Sequence, residues 1–140
     1  MRAAWIVAVV LASFVALGTM AGGPQPATAG SNDIYVGGVW VLKIAHDASG
    51  YSAEQRVLEV EKRITEVLST PAFRTNGVVV SAHKSGASAV VTAGDMNVIT
   101  VTPQDAAGTG KTTLDLARQV ALRFAVGLSH AMPDATVHVF

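Results

Sequence analysis

A chain of 140 residues carries ten basic and ten acidic side chains, so its formal net charge is zero. Nothing basic is clustered, which leaves nucleic acid and anionic surfaces without an electrostatic anchor. There is no cysteine, so disulfides and lipid-modified cysteines are excluded and the fold must rest on its core.

The first 29 residues read as a leader. Met1-Arg2 places one positive charge before an apolar run, Ala3 to Ala21, interrupted only by Ser13, Gly18 and Thr19. Gly22-Gly23-Pro24-Gln25-Pro26 breaks that run, and Ala27-Thr28-Ala29 offers small residues at a cleavage position before Gly30. These are the three parts of a secretory signal peptide over residues 1–29. The alternative is an N-terminal membrane anchor over residues 3–21, because the run is near the lower limit of about 17–25 residues for a spanning helix. Either way the remainder is expected to be exported, periplasmic or extracellular, touching membrane only through that segment if it is uncleaved. Residues 30–33 read as a linker and 34–140 as one domain. The leader removes only Arg2, so the remainder has nine basic and ten acidic residues, or −1.

Ile34-Tyr35-Val36, Gly37-Gly38 and Val39-Trp40-Val41-Leu42-Lys43-Ile44 predict a hairpin, since Gly-Gly supplies the positive φ angles of a tight turn. Strict alternation in the second arm puts Trp40, Leu42 and Ile44 on one face, and that face is expected to be the core. Ser52 and Gln55 form an S-x-x-Q capping box, so a helix starts at Ala53. Ala53, Val57, Val60, Ile64, Val67 and Leu68 line its apolar face; Glu54, Glu59, Lys62, Arg63 and Glu66 lie largely on the other. Glu59 and Arg63 are spaced for an i,i+4 pair worth about 0.2–0.5 kcal/mol. Pro71 stops the helix, a loop covers 72–77, and Val78 to Ala82 predicts a short strand.

Val90 to Thr92 and Val98 to Thr102 predict a second hairpin about Gly94-Asp95, ended by Pro103. A polar loop, Gln104 to Gly110, then precedes a helix capped by Thr109 or Thr112, and the final strand is Ala135 to Phe140. The pattern of hairpin, loop, capped helix and strand thus occurs twice. It implies a pseudo-duplicated ββαβ unit in a two-layer α+β sandwich, with a mostly antiparallel sheet and two helices on one face.

Ala107-Gly108-Thr109-Gly110-Lys111-Thr112-Thr113 resembles the end of a phosphate-binding loop, G-x-x-x-x-G-K-[ST]. The first glycine should stand at 105, where there is Asp105, and its charge opposes phosphate. No later strand ends in a magnesium-binding aspartate. The run is therefore read as a connector without a nucleotide, and no cofactor is expected. The four histidines, His46, His83, His130 and His138, show no metal-ligand spacing, so no metal site is expected either. No nucleophile elbow occurs, and no catalytic residues are assigned.

The second helix is apolar on more than one side. Leu116, Leu122 and Val126 fall outside its main stripe, with Arg118 and Arg123 beside them, and together they are a candidate partner surface. Asp105, Thr109 and Lys111 are a candidate ligand loop.

Several segments share motifs with a known domain: Ile34 to Ile44 with its glycine turn; Gly50-Tyr51-Ser52-Ala53-Glu54-Gln55-Arg56; Val90-Val91-Thr92-Ala93-Gly94-Asp95; and Val98-Ile99-Thr100-Val101-Thr102 before an alanine-rich helix. This succession resembles the extracytoplasmic N-terminal domain that precedes the membrane part of some bacterial small-conductance mechanosensitive channels. The resemblance implies an envelope accessory or sensing module without the pore, and it carries over no catalytic residues. The expectation is a non-enzymatic exported envelope module that binds a protein partner or small ligand, by contact with an envelope protein or by self-association. The alternative is a small extracytoplasmic enzyme whose site is built from Asp47, His83 and Asp105.

Signal cleavage is checked by sequencing the N-terminus of the protein recovered from its host. The expected first residue is Gly30, whereas a product that keeps Met1 assigns the apolar run to an anchor.

Overall fold

The computed structural model describes residues 32–140. Residues 1–29, which the sequence pattern reads as a leader, lie outside the described residues. Among the described residues no helix is long and apolar enough to cross a membrane.

The elements run β1 (Asp33–Val36), β2 (Val39–Lys43), α1 (Ala53–Leu68), α2 (Pro71–Asn76), β3 (Val78–Ser85), β4 (Ser88–Ala93), β5 (Met96–Val101), α3 (Pro103–Ala106), α4 (Thr113–Ala131) and β6 (Val137–Val139). With the two short helices set aside, this is ββαβ twice, and the α+β class stands. The strands form two sheets, however. β1 and β2 pair only with each other, while the larger sheet has the order β5-β4-β3-β6. In it β3 pairs antiparallel with β4 and parallel with β6, so the last strands of the two halves lie side by side.

One face of the larger sheet is apolar. Val78 and Val80 of β3, Ala89, Val91 and Ala93 of β4, and Ile99 and Val101 of β5 are all buried. α4 lies against β3 and β4, and α1 against β5. Val57, Val60, Ile64 and Val67 come from α1, and Ala117, Val120, Ala121, Phe124 and Leu128 from α4, at the 3.6-residue spacing of an apolar stripe. The other face carries Val79, Ser81, His83, Val90 and Thr92, with hydroxyl contacts between Ser81 and Thr92 at 3.3 Å.

Both long helices start at the expected caps. The Ser52 hydroxyl accepts from the Gln55 N–H while the Gln55 side chain accepts from the Ser52 N–H. On α4 the cap is Thr112, whose hydroxyl accepts from the Asp115 N–H, rather than Thr109. Pro71 and Pro103 do not merely stop the preceding elements. Each stands in the first turn of a short helix, where its missing N–H costs nothing. The loops expected at 72–77 and 104–110 therefore contain α2 and α3. β3 also runs on to Ser85 instead of ending at Ala82.

Strict alternation fails in β2. Ile34 pairs with Leu42 but Tyr35 pairs with Trp40, so Val41 is an extra residue in the ladder. Such a bulge resets which side chains face inward. Val41, Leu42 and Ile44 are all buried, and Trp40 is turned outward to 39% exposure, opposite to the expected core position.

Gly37 and Gly38 form the hairpin turn with φ of +54° and +80°. Gly37 also lies against the backbone of Gly127 on α4, where a Cβ would overlap the carbonyl oxygen. Gly38 has nothing within 4 Å of a Cβ position. Gly38→Ala should therefore lose only the left-handed backbone term, about 1–2 kcal/mol. Gly37→Ala adds an overpacking term and should lose about 3 kcal/mol or more. Urea midpoints of the two variants check this; equal losses would place no close helix contact at Gly37.

Candidate functional site

Two surface features and one buried pair carry the chemistry of this domain. The first feature is an exposed face built from β1, β2 and α4. Tyr35 and Trp40 are cross-strand partners, so their rings project from the same side of the small sheet. Trp40 donates its indole N–H to Asp33 at 2.9 Å. The Arg123 guanidinium of α4 lies 4.7 Å from the centre of the Trp40 ring, a cation–π distance. Leu122, next to Arg123 in the helix, and Val126, one turn on, are 55% and 49% exposed, and Tyr35 is 60% exposed. Trp, Tyr and Arg flanked by aliphatics is the composition of a binding hot spot rather than of ordinary surface.

The sequence-derived partner surface is thus split. Leu122, Val126 and Arg123 belong to this face. Leu116 does not: it is buried, 6% exposed, within the core. Its position on the flank of the apolar stripe reads as outside only if α4 is covered on one side, and α4 is covered by both sheets. Arg118 is exposed and makes a 3.3 Å ion pair with Asp115 one turn back.

The buried pair joins Arg56 of α1 to Asp105 of α3. Arg56 Nη2 donates to Asp105 Oδ2 at 2.6 Å and Nη1 to Oδ1 at 3.1 Å, a two-pronged contact with the carboxylate fully buried. Nη1 also donates to the His46 carbonyl at 2.6 Å and Nη2 to the Thr100 carbonyl at 3.2 Å. Four of the five guanidinium donors are engaged in these contacts. Asp105 also closes a capping box, accepting from the Thr102 N–H at 2.9 Å while its own N–H donates to the Thr102 hydroxyl. Burial raises the Asp105 carboxyl pKa. The Arg56 hydrogen bond, the Thr102 N–H and the Arg56 charge together outweigh it and hold the group below its ordinary 3.8.

Within the candidate ligand loop, Asp105 faces Arg56. The Thr109 hydroxyl donates to the Ala106 carbonyl and accepts from the Lys111 N–H, closing the turn after α3. Lys111 stands exposed on that turn. The residues of the alternative catalytic site do not converge. Asp47 accepts from the Ala53 N–H at the start of α1, Asp105 is paired, and His83 Nε2 sits 3.5 Å from the Thr92 hydroxyl on the open sheet face. His138 lies beside Val79 on that face, four residues along β3 from His83. Among the described residues no cluster of histidine and acidic side chains has metal-binding geometry.

The second surface feature is a pocket of about 180 Å³ between α1, β5 and the loop before α1. Ile44, Val60 and Val98 supply apolar lining; Arg56, Glu59, Arg63, Tyr51 and Thr100 supply polar lining. Val98 reaches it because β5 carries a second bulge: Val91 pairs with Ile99 and Thr92 with Asn97, leaving Val98 extra and buried. The expected Glu59–Arg63 pair is not made. Arg63 instead reaches across to the Asn97 carbonyl at 3.4 Å.

The residue pattern singles out neither Arg56 as a buried cation nor the pocket. A signal for Arg56 exists, though. It precedes Val60, Ile64 and Val67 at i+4, i+8 and i+11, which puts a cation along the buried stripe of α1, where a partner is obligatory.

The model of the family described as Domain of unknown function (DUF8459) matches residues 33–131, and the chain belongs to that family. No curated protein and no solved structure matches the chain.

Asp105→Asn keeps the shape of the pair but leaves the Arg56 charge buried and uncompensated, which should cost about 3–5 kcal/mol at neutral pH. The native carboxylate has a lowered pKa, so its contribution is complete above the unfolded value of 3.8 and is lost as pH falls through the still lower folded value. The stability gap between the native protein and the variant should therefore narrow below that pH. Urea midpoints on both sides of it test this, and a gap independent of pH would contradict the pairing.

Proposed function

We propose that this member of a family of unknown function is a non-enzymatic, exported envelope module that docks a protein partner through the Tyr35–Trp40–Arg123 face. The observation that carries the reading is the Arg123 guanidinium held 4.7 Å over a half-exposed Trp40, with exposed Leu122 and Val126 alongside. Packing under Arg123 presets the indole, so little side-chain freedom is lost on docking. The cation favours a partner that offers an apolar side chain rimmed by carboxylates. Export rests on the pattern of residues 1–29. The likeness to the domain that precedes some mechanosensitive channels is in keeping with an accessory role of this kind.

Support for a binding rather than a catalytic role comes from Asp47 and Asp105. Each would be needed in a loop-built acid–base site, and each is engaged in holding a helix start. Asp105 also holds Arg56.

A photo-crosslinking residue at Tyr35 or Leu122, introduced in the native host, is expected to give one discrete adduct with an envelope protein. The same residue at Leu58, 66% exposed on α1, is the control and should give none. An adduct at twice the chain mass would replace the partner by a second copy. Equal labelling at all three positions would remove the face from consideration.

A further inference from the structure

The geometry points to a second binding function, independent of the Trp40 face: the pocket between α1 and β5 takes a small zwitterion with an aliphatic tail, the chemistry of a free branched-chain amino acid. Its interior is electrically balanced, because the one charged group at depth, Arg56, is matched by Asp105. A ligand with net charge would therefore gain nothing from the floor. The sides are apolar, from Ile44, Val60 and Val98, each at most 6% exposed. The available volume, about 180 Å³, is close to that of the roughly 150 Å³ apolar cavity that holds benzene and below the roughly 300–1,000 Å³ of pockets for drug-sized ligands, which suits a short branched chain.

The ends of the ligand are set by Glu59 and Arg63. They stand one turn apart on α1, both half-buried, both lining the pocket. At this spacing and order they would ordinarily pair. Here they do not. Arg63 makes one long contact to a carbonyl, and Glu59 accepts no hydrogen bond or ion pair among the described residues. A carboxylate and a guanidinium one helical turn apart beside an apolar cavity match an ammonium and a carboxylate on one carbon, with the side chain directed inward.

The lip supports the same reading. Ala48 and Tyr51 exchange both backbone hydrogen bonds at 2.9 Å, closing a two-residue turn on Ser49 and Gly50. Ser49 has φ +54°, and among the described residues no other non-glycine has a positive value. With Gly50 at +82°, this is the pair of positive angles that such a two-residue turn requires, so the turn itself holds the lip on which Ser49 and Tyr51 line the pocket.

The test uses the purified mature protein and L-leucine, read by thermal shift and by amide chemical shifts. Binding at ~1 mM or tighter is expected, with shifts centred on Ser49, Gly50 and Val98. 4-Methylpentanoate, which lacks the ammonium, 3-methylbutylamine, which lacks the carboxylate, and glycine, which lacks the tail, should each bind at least about tenfold more weakly, as loss of one charge-assisted or apolar contact requires. Glu59→Gln preserves shape and should weaken leucine, but not 4-methylpentanoate, by a similar factor. Absence of leucine binding at ten times that concentration, shifts confined to other residues, or unchanged leucine affinity in Glu59→Gln would each overturn the proposal. None of these results bears on crosslinking at Tyr35, so the two sites fail or succeed separately.

Discussion

The Arg56–Asp105 pair is the constraint on which the arrangement of the domain depends. Four pieces of chain meet at one guanidinium: α1 supplies it, α3 supplies the carboxylate, and the carbonyls of His46 and Thr100 bring in the loop before α1 and the end of β5. The first two belong to different halves of the repeated pattern. A buried ion pair adds little net stability over an apolar substitute, because removing both charges from water offsets most of their attraction. What it adds is exclusivity. A guanidinium with four directed donors accepts one arrangement of its neighbours, whereas valines and alanines pack in several. In a core composed chiefly of small and β-branched side chains, that directional tie is the feature best able to specify how α1 sits against β5.

The two bulges act at the next level. An extra residue in β2 turns Trp40 outward and lets Val41 and Leu42 both face inward. An extra residue in β5 lets Val98 and Ile99 both be buried. Each bulge thus increases burial along a short strand while re-aiming a neighbour, and each lies beside one of the two surface features. The open face of the larger sheet has no bulge between β3 and β4 and mixes Ser81, His83 and Thr92 with Val79 and Val90.

Much of the architecture was legible in the residues because local chemistry and fold agree there. Ser52 with Gln55 and Thr112 with Asp115 specify helix starts through side-chain oxygens that need no tertiary help. Gly37-Gly38 specifies a turn through backbone freedom. The repeated order of elements follows from these signals. What escaped is what depends on distant partners. Alternation predicts Trp40 inward, and only the pairing of Tyr35 with Trp40 across a bulge turns it out. Asp105 reads as a loop residue because its partner is 49 positions away. Leu116 reads as surplus apolar area because the small sheet that helps to cover α4 cannot be inferred from the helix itself.

The same residues bear on the choice between binding and catalysis. A general acid or base needs a group whose proton can leave and return, which calls for a carboxylate poised near working pH and open to substrate. Burial alone would move Asp105 in that direction. Arg56 and the Thr102 N–H reverse the effect, so the group stays ionised and enclosed. Asp47 is likewise held against a helix N-terminus. Among the charges left accessible, Arg123 over an indole and Glu59 with Arg63 beside an apolar recess are suited to recognising another molecule's charge and shape. Asp47 and Asp105, the two carboxylates of the loop-built catalytic alternative, are thus both used to fix the frame of the domain, which supports the proposed binding role.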